Sequence, residues 1–374
     1  MNWIEEEIKA LESLGLLRER KIYGGVVFCD NDYLGLSEHP EVLRAIREAT
    51  FRYAAGAMAS SLVSGYTSAH RQLEDELRLF KGGEDCIVFG SGYLANIGVI
   101  PALASEGDII FSDRLNHASI IDGCRLSKAR VYVFEHLSAE SLRESLVKNR
   151  KSARRCLIIL ESLFSMDGDS PDIRQFLKLS EEFDCLLIID EAHATGSIGK
   201  TGRGILEESG TEFRENLIII GTLSKALGTY GAFVCASKRI CSLIVNRARS
   251  YIFSTALSPI ICEGAMASLR VLKSNPQMVE SLKERSRNFI RMLSEINLRA
   301  LGREDAPIVP IIIGNERRAL EIREGLLKRG FFVQAIRYPT VPLNTARLRI
   351  SISLKRNPED ERSLVRALGE LLCP

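Results

Sequence analysis

At 374 residues the chain is long enough for about two domains of ~150 residues each. Hydrophobic residues make up 45% and charged residues 26%, the proportions of an ordinary globular protein. Fifty basic against 48 acidic residues leave a net charge of +2, which gives no reason to expect nucleic acid or an anionic membrane as a partner.

The N-terminal stretch "MNWIEEEIKALESLGLLRER" is acidic, with Ile4, Ile8 and Leu11 at helical spacing. It lacks the basic start and apolar centre of a signal peptide. No segment reaches the ~18 uninterrupted apolar residues of a membrane helix, so a cytoplasmic protein is expected. The nine cysteines, Cys29, Cys86, Cys124, Cys156, Cys185, Cys235, Cys241, Cys262 and Cys373, form no CxxC pair, and several lie in apolar runs. Reduced, buried thiols explain them better than disulfides, and no metal site is expected.

From about residue 70, helical and strand patterns alternate. "HRQLEDELRLFKG" reads as a helix, "DCIVFG" as a strand, and "GYLANIGVIPALA" as a helix opening from that strand's end. "DIIFSD", "RVYVFEH", "RCLIILES", "CLLIIDEAH" and "NLIIIGTLSK" follow as strands, separated by charged segments of helical period. Strands apolar on both faces, alternating with helices, predict a mostly parallel sheet covered on both sides. Beyond the polar stretch "KSNPQ", the runs "IVPIIIG", "RALEIREGLLKRG", "FFVQAI", "RLRISISL" and "DERSLVRALGELL" predict strand, helix, strand, strand, helix. The expected organisation is an N-terminal helix and segment (1–45), a large α/β domain (46–270) and a small α+β domain (271–374).

One loop invites a nucleotide-binding reading. In "IIDEAHATGSIGKTGRG", Gly199-Lys200-Thr201 matches the end of a phosphate loop, but the first glycine of that motif falls on Ala194. The residues after it start a helix poorly. An NTPase is therefore the weaker alternative.

In a parallel sheet, ligands bind beyond the carboxyl ends of the strands, and four such ends carry suitable groups. "GSGYLAN" offers Ser91, Gly92 and Tyr93 at a helix start, where N–H groups can hold a phosphate. "DRLNHASI" offers His117, whose imidazole can lie on an aromatic ring. "IIDEAH" places Asp190 at the end of a buried strand with His193 a turn later. A buried carboxylate needs a cation or several donors to remain ionised, and a protonated pyridine nitrogen would supply the cation. "GTLSKALG" sets Lys225 among apolar neighbours, where desolvation favours the neutral amine that can form a Schiff base, and Thr222 three residues earlier could bind a phosphate. Each feature has an ordinary alternative: a strand-to-helix turn, a surface histidine, a helix-capping aspartate or an exposed lysine. Together they describe a site for pyridoxal 5′-phosphate.

With "NDYLGL", "SLVSGYTSAHRQLEDEL", "ESLFSMDGD", "FSTALSP" and "YPTVPLNTARLRIS", these motifs resemble the α-oxoamine synthase family of pyridoxal phosphate enzymes from end to end. The resemblance implies the fold type I transferase architecture, an α/β fold with a large mostly parallel-sheet domain and a smaller α+β domain. It also implies that Lys225 forms the Schiff base, Asp190 pairs with the ring nitrogen, His193 and Ser165 meet the ring hydroxyl, and His117 stacks on the ring. Thr222 and the turn Ser91-Gly92-Tyr93 would hold the phosphate. Thr255 would reach the phosphate of a neighbouring subunit, which implies a homodimer. Arg349 would take the amino acid's carboxylate, with Arg347 on the same face of its strand as the rival. Asn31 would line the substrate side, and Arg18 would meet the far carboxylate of the acyl chain. The implied substrates are L-alanine and pimeloyl-CoA or pimeloyl-acyl carrier protein. Family members using glycine or serine with other acyl groups are the nearest alternatives, and departures around "TLSKALGTYGAF" and "FSTALSP" bear on that choice.

Overall fold

A computed structural model describes residues 2–14, 16–18 and 20–372; Cys373 therefore lies outside the described residues. The apolar runs form a seven-stranded sheet: β1 (Asp85–Phe89), β2 (Ile109–Asp113), β3 (Arg130–Phe134), β4 (Cys156–Glu161), β5 (Leu186–Asp190), β6 (Leu217–Thr222) and β7 (Ala232–Ala236). Their order across the sheet is β1-β7-β6-β5-β4-β2-β3. Pairs from β3 through β6 are parallel, and β7 runs antiparallel to both β6 and β1. The fold is thus the expected α/β class with a mostly parallel sheet.

Both faces are buried because successive side chains serve different cores. Ile158, Leu160, Leu187 and Ile189 join one apolar cluster, while Leu157, Ile159 and Ile188 join the other. That division explains why β4 and β5 read as continuous apolar runs rather than alternating ones. Two details depart from expectation. The run "RVYVFEH" is an edge strand with Val131 and Val133 exposed, since no strand among the described residues pairs beyond it. Strand β7 was not among the predicted strands, because "AFVCA" follows the lysine loop too closely to be reached by a helical crossover. It returns antiparallel instead, through a turn at Gly228 and Gly231.

The C-terminal unit has three antiparallel strands, β8 (Ile308–Gly314), β9 (Gln334–Ile336) and β10 (Ala346–Ser351), in the order β9-β10-β8. The expected single strand "FFVQAI" splits at Val333. Phe331–Phe332 pairs with Val26–Val27 instead, while Gln334–Ile336 pairs with β10. The segment after the N-terminal helix is thereby stitched to the C-terminal unit. Ser351 N donates to Phe28 O at 2.7 Å and Leu354 N to Tyr33 O at 2.9 Å. Arg356 lies over the Phe28 ring at 4.9 Å and donates to Asp30 at 2.7 Å. This stitching brings Asn31 and Tyr33 to the ends of the large sheet's strands.

Among the described residues no helix is long and apolar enough to cross a membrane. The eight described cysteines are free thiols, seven of them buried and Cys29 half-buried.

Candidate active site

The site begins with the register of three parallel strands. Glu161 at the end of β4 is the partner of Asp190 at the end of β5, and Asp190 lies opposite Ile220, two residues before Thr222 ends β6. Each strand thus finishes on a polar group at the same edge of an otherwise apolar sheet. Beyond that edge is a cavity of about 250 Å³ lined by Ser91, Asn96, His117, Asp190, His193 and Lys225, among others.

Asp190 is buried and held from two sides. Ala192 N donates to Oδ1 and Asn96 Nδ2 to Oδ2, each at 2.8 Å. The same Asn96 amide donates to Ser119 Oγ at 2.9 Å, and Ser119 Oγ meets His117 Nδ1 at 2.8 Å. One buried amide therefore orients both the acid and the imidazole. Its carbonyl oxygen Oδ1 is buried without a partner among the described residues. His117 stands at the cavity's open side, where the protein behind it still lowers its pKa through burial. Its backbone N–H donates to Glu161 at 2.7 Å. Glu161 is wholly buried beside Asp190, and burial first, then that neighbouring charge, pushes its pKa up to about 8.

Lys225 follows β6 and reaches back into the cavity. Burial lowers its pKa to about 8, against the opposing pull of Asp190 and Glu161. Its Nζ lies 2.8 Å from His193 Nε2, and His193 Nδ1 lies 2.7 Å from the Tyr33 hydroxyl. Tyr33 donates to Asn31 Oδ1 at 3.1 Å, and Arg349 Nη2 donates to the same oxygen at 3.1 Å. His193 is held well below its ordinary pKa, chiefly by burial and then by the charge on Lys225. The local chain makes this approach possible. Gly196, at φ +84°, lets the loop after His193 settle against the lysine loop, where a Cβ would fall 2.7 Å from Ala226 Cβ.

At the other end of the cavity, Ser91 caps the helix Gly92–Leu103, its Oγ accepting from Leu94 N at 3.2 Å. The N–H groups of Gly92 and Tyr93 in that first turn have no helical carbonyl behind them and carry the positive end of the helix dipole. Thr222 Oγ1 lies 2.8 Å from Ser224 Oγ, so two hydroxyls share that end.

The remaining expected residues lie around the cavity or beyond it. Arg349 and Arg347 part company. Arg347 is engaged by Asp167 at 2.6 Å and the Met166 carbonyl, whereas Arg349 borders the Lys225–His193–Tyr33 chain. Ser165 is buried, and its carbonyl accepts from Arg349 Nε at 2.6 Å. Thr255 is exposed and does not line the cavity of its own chain. Arg18 lies in a separate groove of about 450 Å³ with Lys21, Arg323 and Arg337, lined also by the β9 residues Gln334, Ala335 and Ile336. The "GKT" triplet is structural: Thr201 Oγ1 donates to Glu207 at 2.6 Å and Lys200 is exposed.

Sequence reasoning missed Tyr33, Asn96 and Glu161. Glu161 ends an apolar strand just as Asp190 does, a signal the sequence did carry. Asn96 and Tyr33 lay inside quoted motifs, but their partners are 94 and 160 residues away in the chain.

These residues fit pyridoxal phosphate. A helix N-terminus and two hydroxyls suit the phosphate, and a desolvated lysine suits the aldehyde. The buried Asp190 suits the protonated ring nitrogen, and His117 can flank the ring. A model of the aminotransferase class I and II family matches residues 24–368. A protein of Aquifex aeolicus (strain VF5), provisionally named 8-amino-7-oxononanoate synthase, is 50% identical over 100% of this chain and 99% of its own. A serine palmitoyltransferase structure from S. paucimobilis, with bound PLP–myriocin, superposes with a TM-score of 0.90 at 28% identity, covering 98% of this chain and 96% of that one. The 8-amino-7-oxononanoate synthase structure from Francisella tularensis gives a TM-score of 0.77 at 29% identity, covering 92% and 97%. The chain belongs to the aminotransferase class I and II family, as a pyridoxal-phosphate-dependent acyltransferase of the fold type I architecture.

Proposed function

We propose that the chain condenses L-alanine with a pimeloyl thioester, carried on coenzyme A or acyl carrier protein, in the biotin-forming branch of the family. The products are 8-amino-7-oxononanoate, carbon dioxide and the free thiol. The observation that carries this reading is the half-buried Lys225 amine, with its lowered pKa, set between His193 and the Asp190 end of the cavity.

Pyridoxal phosphate, when bound, supplies an aldehyde for the amine and a ring that takes up a carbanion's electrons. Asp190, fixed by Asn96 and Ala192, presents a buried carboxylate able to keep a proton on the ring nitrogen. With the cofactor bound, His117 would flank its ring, and His193 and Ser165 would meet its hydroxyl. Ser91, the Gly92 and Tyr93 N–H groups and Thr222 would hold the phosphate. Lys225, with a pKa near the working range, accepts the Cα proton of alanine as general base and later returns one. Arg349, with Asn31 beside it, binds the alanine carboxylate. Arg18 meets the far carboxylate of the acyl chain, a role supported by the basic groove it shares with Lys21, Arg323 and Arg337. Thr255 completes the phosphate site of a second copy in a homodimer, which accounts for its exposure.

Release of coenzyme A tests the reading when alanine, glycine and serine are each paired with pimeloyl, acetyl, succinyl and palmitoyl thioesters. Alanine with the pimeloyl thioester is expected to be fastest, and Arg18→Ala is expected to lose that acyl preference. Faster turnover with glycine or serine would assign a different condensation.

A further inference from the structure

The polar groups of the site form one hydrogen-bonded line that no catalytic assignment above requires in full. It runs from Lys225 Nζ to His193 Nε2 (2.8 Å), from His193 Nδ1 to the Tyr33 hydroxyl (2.7 Å), and from that hydroxyl to Asn31 Oδ1 (3.1 Å). Arg349 Nη2 closes the far end, 3.1 Å from Asn31 Oδ1 and 3.4 Å from the Tyr33 oxygen. Tyr33 is wholly buried and belongs to the apolar core, so its hydroxyl relies on protein partners.

The directions of these bonds follow from the donors available. Arg349 has only protons to give, and Asn31 Oδ1 has only lone pairs, two of them. With the Tyr33 hydroxyl donating to Asn31 Oδ1, its oxygen is the group that accepts from His193 Nδ1–H. A neutral imidazole carries one proton, so Nε2 then turns a lone pair toward Lys225. Burial, together with the charges of Lys225, Arg349 and His117, keeps His193 neutral. Burial likewise keeps the Tyr33 phenol protonated. The charged groups facing Lys225 are Asp190, Glu161 and Arg349.

We propose that Tyr33 is a positioning residue that fixes the tautomer of His193 and ties it to Arg349, so that a carboxylate arriving at Arg349 is felt at the Lys225 amine. The coupling rests on the reading of Arg349 as the carboxylate site. A carboxylate drawing Arg349 Nη2 away from Asn31 leaves Asn31 Oδ1 to Tyr33 alone. The line of donors from Lys225 to Asn31 is strengthened, and the ammonium form of Lys225 gains. Amino acid binding and the proton state of the base are then linked by one hydroxyl.

The test uses the full-length chain freed of cofactor, in which Lys225 is a free amine, and its Tyr33→Phe variant, with propionate as a carboxylate probe that has no amine. The chain has five histidines, so nitrogen-15 spectra resolve His193, identified with a His193→Gln variant. In the wild type below pH 8, His193 is expected as the single Nδ1–H tautomer. In Tyr33→Phe it is expected as a mixture, with the spectra of His39, His70, His117 and His136 unchanged, which a general loss of packing would not leave so. Saturating propionate is expected to raise the titration midpoint of Lys225 by about one pH unit in the wild type, a tenfold change, and by clearly less in Tyr33→Phe. An unchanged His193 tautomer in Tyr33→Phe overturns the proposal, as does an equal propionate shift in both proteins. If propionate does not bind the wild type and Arg349→Gln keeps its affinity for alanine, the carboxylate reading itself has failed and takes the coupling with it. Binding without transmission overturns the coupling alone.

Discussion

Lys225 owes its chemistry to where a strand stops. It sits three residues beyond Thr222, where β6 leaves the sheet, and burial there lowers its pKa to about 8. Because the unfolded amine titrates near 10.5, folding with a charged Lys225 costs stability below pH 8, a cost accepted at reactive positions. Borohydride reduction of the cofactor-loaded protein is expected to leave a pyridoxyl group on the Lys225 peptide. Lys225→Ala should lose the visible absorbance and about 10²–10⁴-fold or more in turnover. A label on another lysine would remove Lys225 from this role. At this scale Asp190, His193, His117 and Lys225 were legible because each follows directly from a strand's end, and local sequence marks strand ends well. Tyr33 was not, because its value lies in a 2.7 Å contact with His193 that only the stitched N-terminal segment creates. Arg349 and Arg347 were indistinguishable by alternation, and only the position of Asp167 separates them.

Elements position the site by being tied to one another, and His136 shows how. It follows the edge strand β3 and bridges Asp113 at the end of β2 (2.8 Å) to Asp169 (3.0 Å). Its ring meets Phe164 edge-on at 4.5 Å, and Phe164 N donates to Asp169 O at 2.9 Å. The clamp therefore fixes the turn that carries Ser165, whose carbonyl holds Arg349. Burial alone would lower the His136 pKa, but the two carboxylates raise it from 6.5 to about 10. A raised pKa means the stabilisation is fully present below about pH 6.5 and is lost as pH rises toward 10. His136→Gln should destabilise the protein by on the order of 3 kcal/mol at pH 6, with the difference from wild type shrinking by pH 10 in urea unfolding. A pH-independent difference would show that His136 acts through shape alone. The parallel strands were legible as apolar runs, whereas β7 and the split of "FFVQAI" were not. Both depend on which neighbour a short strand finds, and hydrophobic pattern is silent on that.

Over the whole molecule, one face remains unexplained by a single chain. Phe253, Met58 and Val63 are 69%, 75% and 79% exposed. Their segments lie together, since Ala256 N donates to Ala59 O at 2.9 Å and Ser258 Oγ to Ala55 O at 2.7 Å. Thr255 stands in the same stretch. Large exposed apolar side chains clustered beside a site suit an interface, and a second copy is the occupant the resemblance implied. Phe253→Asp should sediment as a monomer and retain cofactor poorly, whereas a wild-type monomer at micromolar concentration would contradict the shared site. The condensation itself is the central claim. Incubating the loaded enzyme with L-alanine and pimeloyl-CoA and reading the product by mass tests it most directly. It predicts 8-amino-7-oxononanoate with one free coenzyme A and one carbon dioxide per product. Turnover without carbon dioxide, or a product built only from another amino acid, would contradict it.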